Sequence, residues 1–145
     1  MQAMKMIARF LDGRIMRGQT QNLSPFRPTF HLHMHESGQQ PRLLHMKDLK
    51  ALFFVKSFTG NKDYHERKEI CKGDPLQGRT CEVRFTDGEV IQGSTMCYDP
   101  HRLGFFFVPA DPAGNNLRIF VVNSAVADFR FLGDKYYGNM TMSIY

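Results

Sequence analysis

Hydrophobic positions alternate with polar ones over short runs along most of the chain. Met6, Ala8 and Phe10 recur at every second position, with Ile7 and Arg9 between them, and Cys81, Val83 and Phe85 repeat the pattern with Glu82 and Arg84 between them. A period of two places such residues on one face of a β-strand. Asp12-Gly13 and Asp87-Gly88 follow these runs. Asp-Gly between alternating segments predicts a hairpin, because the turn needs a positive φ. The second strands are "RIMRGQTQNL" and "EVIQGSTMCY", each with a central glycine, Gly18 or Gly93. Glycine inside a strand marks a bend or bulge. Proline-bearing loops lead to third strands at "TFHLHMHES" and "GFFFVPAD". Later strands are predicted at "PRLLHMK", "LKALFFV", "LRIFVVN" and "VADFRFL". A helical turn is expected in "MKDLKAL" and in "NSAVADF", just before the last strand of each set.

This succession of elements is written twice. "RFLDGRIMRGQTQNLSPFRPTF", from Arg9, aligns without a gap to "RFTDGEVIQGSTMCYDPHRLGF", from Arg84. Identical pairs include Phe10/Phe85, Gly18/Gly93, Pro25/Pro100 and Phe30/Phe105. After a one-residue slip the match resumes at Arg42/Arg118, Ala51/Ala127 and Phe53/Phe129. Two copies are too few for a solenoid. The pattern predicts a mainly all-β protein of two tandem small antiparallel barrels, residues 1–55 and 80–133. A charged connector, 56–79, joins them, and its "KDYHERKEICK" is expected to form a short helix. A tail, 134–145, is expected to pack as an edge strand or fray.

"VRFTDGEVIQGSTMCYDPHRLGFFFVPAD…LRIFVVNSAVADFRF" resembles the Sm-like (SH3-like) small barrel. There an opening strand and DG turn lead to a bent, glycine-bearing strand, an Asp-bearing loop and an apolar strand. The resemblance implies the barrel fold for both copies. Sm-like RNA sites use an Asn in the loop after the bent strand and an Arg-Gly pair near the last strands. Here that loop reads Asp99-Pro100-His101-Arg102-Leu103-Gly104, and the later pair is replaced by Val122-Asn123-Ser124. The first copy has Asn22 earlier and Met46-Lys47-Asp48 later, so RNA binding does not carry over residue by residue. "LKALFFVKSFTGN" also resembles an uncharacterised family of bacterial domains.

Charge divides the copies. Residues 5–55 hold eight Lys/Arg against three Asp/Glu, whereas residues 80–133 hold four against six. The basic excess of the chain therefore lies in the first copy and the connector. Arg14, Arg17, Arg27 and Arg42 are candidate phosphate-binding residues, with Phe26 as a stacking residue. A basic and an acidic copy also suit each other as protein surfaces. "NLSPFR", Asn22 to Arg27, resembles the D/N-x-S-x-x-G element of PilZ domains, with Arg27 at the glycine position and Arg14 and Arg17 upstream. That resemblance implies a small anionic nucleotide as ligand.

His31, His33 and His35 share one face of a strand, while Phe30, Leu32 and Met34 share the other. Neighbouring imidazoles two residues apart suit a shared metal ion, but three on one straight strand span too far, so His45 or Glu36 would have to complete a site. The matching positions in the second copy are Phe106, Val108 and Ala110, which favours a packing surface. Phe106 and Val108 are accordingly candidate interface residues. No cofactor is called for.

No GxSxG, HExxH, P-loop or GxGxxG motif occurs, so the chain is read as a non-enzyme. Cys71, Cys81 and Cys97 are odd in number and lack CxxC spacing, which argues against a disulfide framework. No apolar run reaches the ~20 residues of a membrane span, and the start does not read as a signal peptide. A cytoplasmic, bacterial protein is expected. Its leading function is that of a regulatory or protein-interaction module, self-associating or partnered. RNA binding through the first copy is the alternative, and small-nucleotide binding a second.

Overall fold

A computed structural model describes residues 4–36 and 38–133. The chain is all-β. The first copy forms β1 (Lys5–Phe10), β2 (Ile15–Gln19), β3 (Thr29–Met34), β4 (Arg42–His45) and β5 (Leu49–Val55). The second forms β6 (Arg79–Phe85), β7 (Val90–Thr95), β8 (Gly104–Pro109), β9 (Asn116–Val122) and β10 (Val126–Phe131). The expected helical turns are single 3-10 turns at Met46–Asp48 and Asn123–Ala125.

Local chemistry explains the hairpins. Gly13 and Gly88 adopt φ of 93° and 95°, and among the described residues no non-glycine residue has a positive φ. Gly13 N–H donates to Phe10 and Gly88 N–H to Phe85. Each Asp side chain accepts a backbone N–H two residues on, at Arg14 or Glu89. Asp therefore shapes the turn and glycine alone takes the left-handed position.

The expectation of two separate barrels needs correction. All strands join one antiparallel sheet in the order β10-β6-β7-β8-β9-β5-β1-β2-β3-β4, and it does not close on itself. Within each copy the order is the same, with the last strand beside the first. The copies meet where β5 pairs β9, with Ala51 opposite Val121, Leu52 opposite Phe120 and Phe53 opposite Ile119. Alternation along these two strands then feeds both cores. Phe120 and Val122 of the second copy pack into the core of Met6, Phe10, Phe30, Leu32 and Leu52. Ala51 of the first copy packs among Val83, Phe85, Phe105, Phe107 and Ile119.

Pairing also corrects the repeat alignment. Leu52 lies opposite Ala8, and Phe129 lies opposite Val83. Leu52 thus matches Phe129, and by the same register Arg42 matches Ile119. The three identities expected beyond the slip are one residue out of structural register. A sheet fixes equivalence through its partner strand, and a one-residue shift would turn every side chain to the other face.

Candidate functional site

The connector is not helical. It is a strap of irregular backbone, and its polar groups are spent on the second copy. Gln92 N–H donates to the Lys68 carbonyl, and Ile70 N–H donates to Gln92 Oε1. Asp111, only 2% exposed, accepts the Tyr64 hydroxyl and the backbone N–H groups of Arg67 and Ala113. These donors, the Tyr64 hydroxyl foremost, hold the Asp111 carboxyl below the usual carboxylate range, and the same bond holds the Tyr64 proton more tightly than usual. Asn115 accepts from Ser57 N–H and donates to its carbonyl. Glu66 takes Asn116, and Arg67 forms a two-pronged bond with Asp74.

Beneath the strap lies a cleft of about 760 Å³. Its floor is the outer face of the first copy. Cross-strand register places Arg17, Ile7, Phe53 and Ile119 in one row over β2, β1, β5 and β9, with Ile15 and Arg9 beside them. The strap contributes Phe58, Asn61, Arg67 and Lys68. Cations exceed acids among the lining residues, with Arg9, Arg17, Lys56, Arg67 and Lys68 against Glu66 and Glu89. The acids are already engaged, since Glu89 receives Lys50 at 2.5 Å and Lys68 at 2.5 Å. The lysine bonds hold the Glu89 carboxyl down against the opposing effect of burial.

The second feature is a pair of open edges. Among the described residues β4 and β10 each have one neighbouring strand. Leu43 on β4 is 50% exposed and Phe131 on β10 is 38% exposed.

With this architecture in hand, comparison with known families gives one match. The model of a family of unknown function (DUF6982) covers residues 2–133. The chain belongs to that family. No curated protein and no solved structure matches it.

Within this DUF6982 member, the residues singled out from sequence fall in several places. Arg17 lines the cleft. Arg14 lies in the β1–β2 turn, paired with Asp12 at 2.7 Å and lying over the Phe10 ring. That pairing lowers the Asp12 carboxyl from its ordinary value, with the Arg14 backbone N–H the larger cause. Arg27 is exposed in the β2–β3 loop, and Arg42 is exposed on the β4 edge. Phe26 is 68% exposed, with the Arg102 guanidinium 4.4 Å over its ring. The four arginines thus divide among a turn, the cleft, a loop and an edge.

Phe106 is half-buried and packs inward, not outward. Its ring meets Phe120 and Phe54, and Arg118 lies over it. Val108 is 41% exposed. His31 and His33 are exposed on β3, opposite buried Phe30 and Leu32. His31 is tied to Asn22, and His35 packs against Phe58 at 4.3 Å. Among the described residues no three His, Cys, Asp or Glu side chains gather to hold a metal ion.

Sequence reasoning passed over Arg9, Phe53 and the strap anchor Asp111. Arg9 and Phe53 were visible as repeat residues. The fact that they share a face with Arg17 follows only from the β1–β2 and β1–β5 registers.

Proposed function

We propose that the protein is a non-enzymatic, self-associating interaction module, with its two open sheet edges as the interacting surfaces. The observation that carries this reading is the β5–β9 junction. There the last strand of the first copy pairs the fourth strand of the second, an arrangement whose two halves recur, unpaired, at the ends. β10 is the counterpart of β5, and β4 is the counterpart of β9. Applying the internal register to the ends sets Leu43 opposite Phe129, as Phe120 is set opposite Leu52. Such a head-to-tail contact either closes into a ring or propagates. The first copy's basic excess and the second copy's acidic excess favour the same direction of contact. The common within-copy strand order, with the last strand beside the first, supports a likeness to Sm-like domains in strand order, in a sheet that stays open.

Sedimentation velocity of the wild type and of Leu43→Glu tests the proposal. The wild type is expected to sediment as a multiple of its 16.8 kDa mass. Leu43→Glu should shift it towards the monomer at an unchanged melting temperature, since Leu43 is exposed. A wild type that stays monomeric at about 100 µM, far above the Kd range of specific interfaces, would count against self-association.

RNA binding is a second reading, favoured by Phe26 standing exposed beside Arg27 with Arg102 on one face of its ring. Anisotropy of a labelled single-stranded RNA should fall with added salt and with Phe26→Ala. No binding at low salt would remove this reading.

A further inference from the structure

The cleft under the strap has a chemistry that edge pairing does not use. Arg9 and Arg17 sit diagonally on adjacent antiparallel strands, each opposite an isoleucine of the other. Sheet geometry puts such diagonal Cβ atoms about 7 Å apart on one face. Neither guanidinium has an ion pair or a side-chain hydrogen bond among the described residues. Arg9 rests 5.4 Å from the Phe53 ring centroid, a contact that fixes the side chain without consuming its N–H donors. The other cleft cations are spoken for, Lys68 by Glu89, Arg67 by Asp74 and Lys56 by the Pro112 carbonyl. Two planar forks with free donors, side by side over an apolar floor, match the oxygens of a phosphate or diphosphate group.

Around the arginines the lining is apolar and aromatic, with Ile7 opposite Arg17, Ile15 opposite Arg9, and Phe53 and Phe58 among the same lining residues. The Phe58 ring is held in place by His35. A ligand that joins phosphate charge to a flat, weakly polar group fits this mixture of free guanidinium donors and aromatic surface. The volume lies within the ~300–1,000 Å³ range of small-molecule pockets. We propose that the cleft binds a small nucleotide, with Arg9 and Arg17 on its phosphates and the nucleobase against Phe53 and Phe58. The strap would then act as a fixed roof, anchored by Asp111 and Glu89 to the second copy while the first copy supplies the arginines. The nucleotide lies between the first copy and the strap and leaves both open edges uncovered, so this site is independent of self-association.

Isothermal titration calorimetry of the full chain tests the assignment, with ADP, adenosine and inorganic pyrophosphate as probes at low and near-physiological salt. ADP should bind, and adenosine and pyrophosphate should each bind at least about tenfold more weakly. Arg17→Gln and Arg9→Gln should each weaken ADP by at least about tenfold, the loss expected for one charge-assisted contact. Arg14→Gln, at a guanidinium already paired with Asp12, should leave ADP affinity unchanged. Arg17 is exposed, so its variant should keep the wild-type melting temperature and report on binding even if the Arg9 variant loosens the sheet. Absence of ADP binding at millimolar concentration and low salt would overturn the proposal. So would undiminished binding to Arg17→Gln, or adenosine binding as tightly as ADP. Pyrophosphate matching ADP would overturn the nucleobase half of the assignment.

Discussion

Gly18 and Gly93 lie within β2 and β7 because another backbone passes too close for a side chain. A Cβ on Gly93 would stand 2.1 Å from the Val108 carbonyl oxygen and 2.6 Å from the Phe107 ring, and one on Gly18 would stand 2.2 Å from the His33 carbonyl oxygen. Gly93→Ala should therefore destabilise the fold by about 1–3 kcal/mol, the usual cost of overpacking. Urea denaturation reads this directly, and an unchanged midpoint would mean that β8 moves aside without cost. Thiol chemistry gives a second residue-scale test. Cys81 is fully buried, and burial pushes its thiol up to about 12, whereas Cys71 and Cys97 are exposed. A thiolate-selective disulfide reagent at pH 8 should label Cys71 and Cys97 quickly and Cys81 only after unfolding. Rapid labelling of Cys81 in the native protein would contradict the packing around β6.

The strap is the element whose behaviour depends most on a single group. Asp111 is held below the ordinary carboxylate value of about 4 by donors that exist only in the folded chain. A depressed folded value contributes stability above the unfolded pKa, and that contribution is lost as pH falls through the folded one. The stability difference between wild type and Asp111→Asn should thus be steady from pH 5 to 7 and shrink below about pH 4. A difference independent of pH down to 2 would show that the carboxylate charge is not what fastens the strap. The missed helix over "KDYHERKEICK" has the same origin. Its helix-forming residues are local, but Asp111, Gln92 and Asn116, more than 20 residues away, offer its polar groups better partners than a short exposed helix provides.

Across the whole molecule, the exchange of side chains at the β5–β9 junction makes the copies one cooperative unit. Phe120 belongs to the second copy by sequence and to the first core by packing, with no exposed surface. Phe120→Ala should cost about 3–5 kcal/mol and lower a single unfolding transition shared by both copies. Two separated transitions, with only the second copy's affected, would show the cores to be independent.

Sequence by itself determined the strands, the Asp-Gly turns and the doubling of the pattern, because each depends on near neighbours or on side-chain alternation. Arg17 was also legible as a candidate anion ligand from charge alone. Tertiary structure decided that the two copies share one sheet, that Phe106 and Phe120 face the opposite copy's core, and that the repeat runs one residue out of its apparent alignment after β3. It also decided that Arg9 joins Arg17 under the strap while Arg14, Arg27 and Arg42 lie elsewhere. Strand pairing and register are set by contacts between distant residues, and a pattern with period two fits either neighbour equally well until the partner strand is in place.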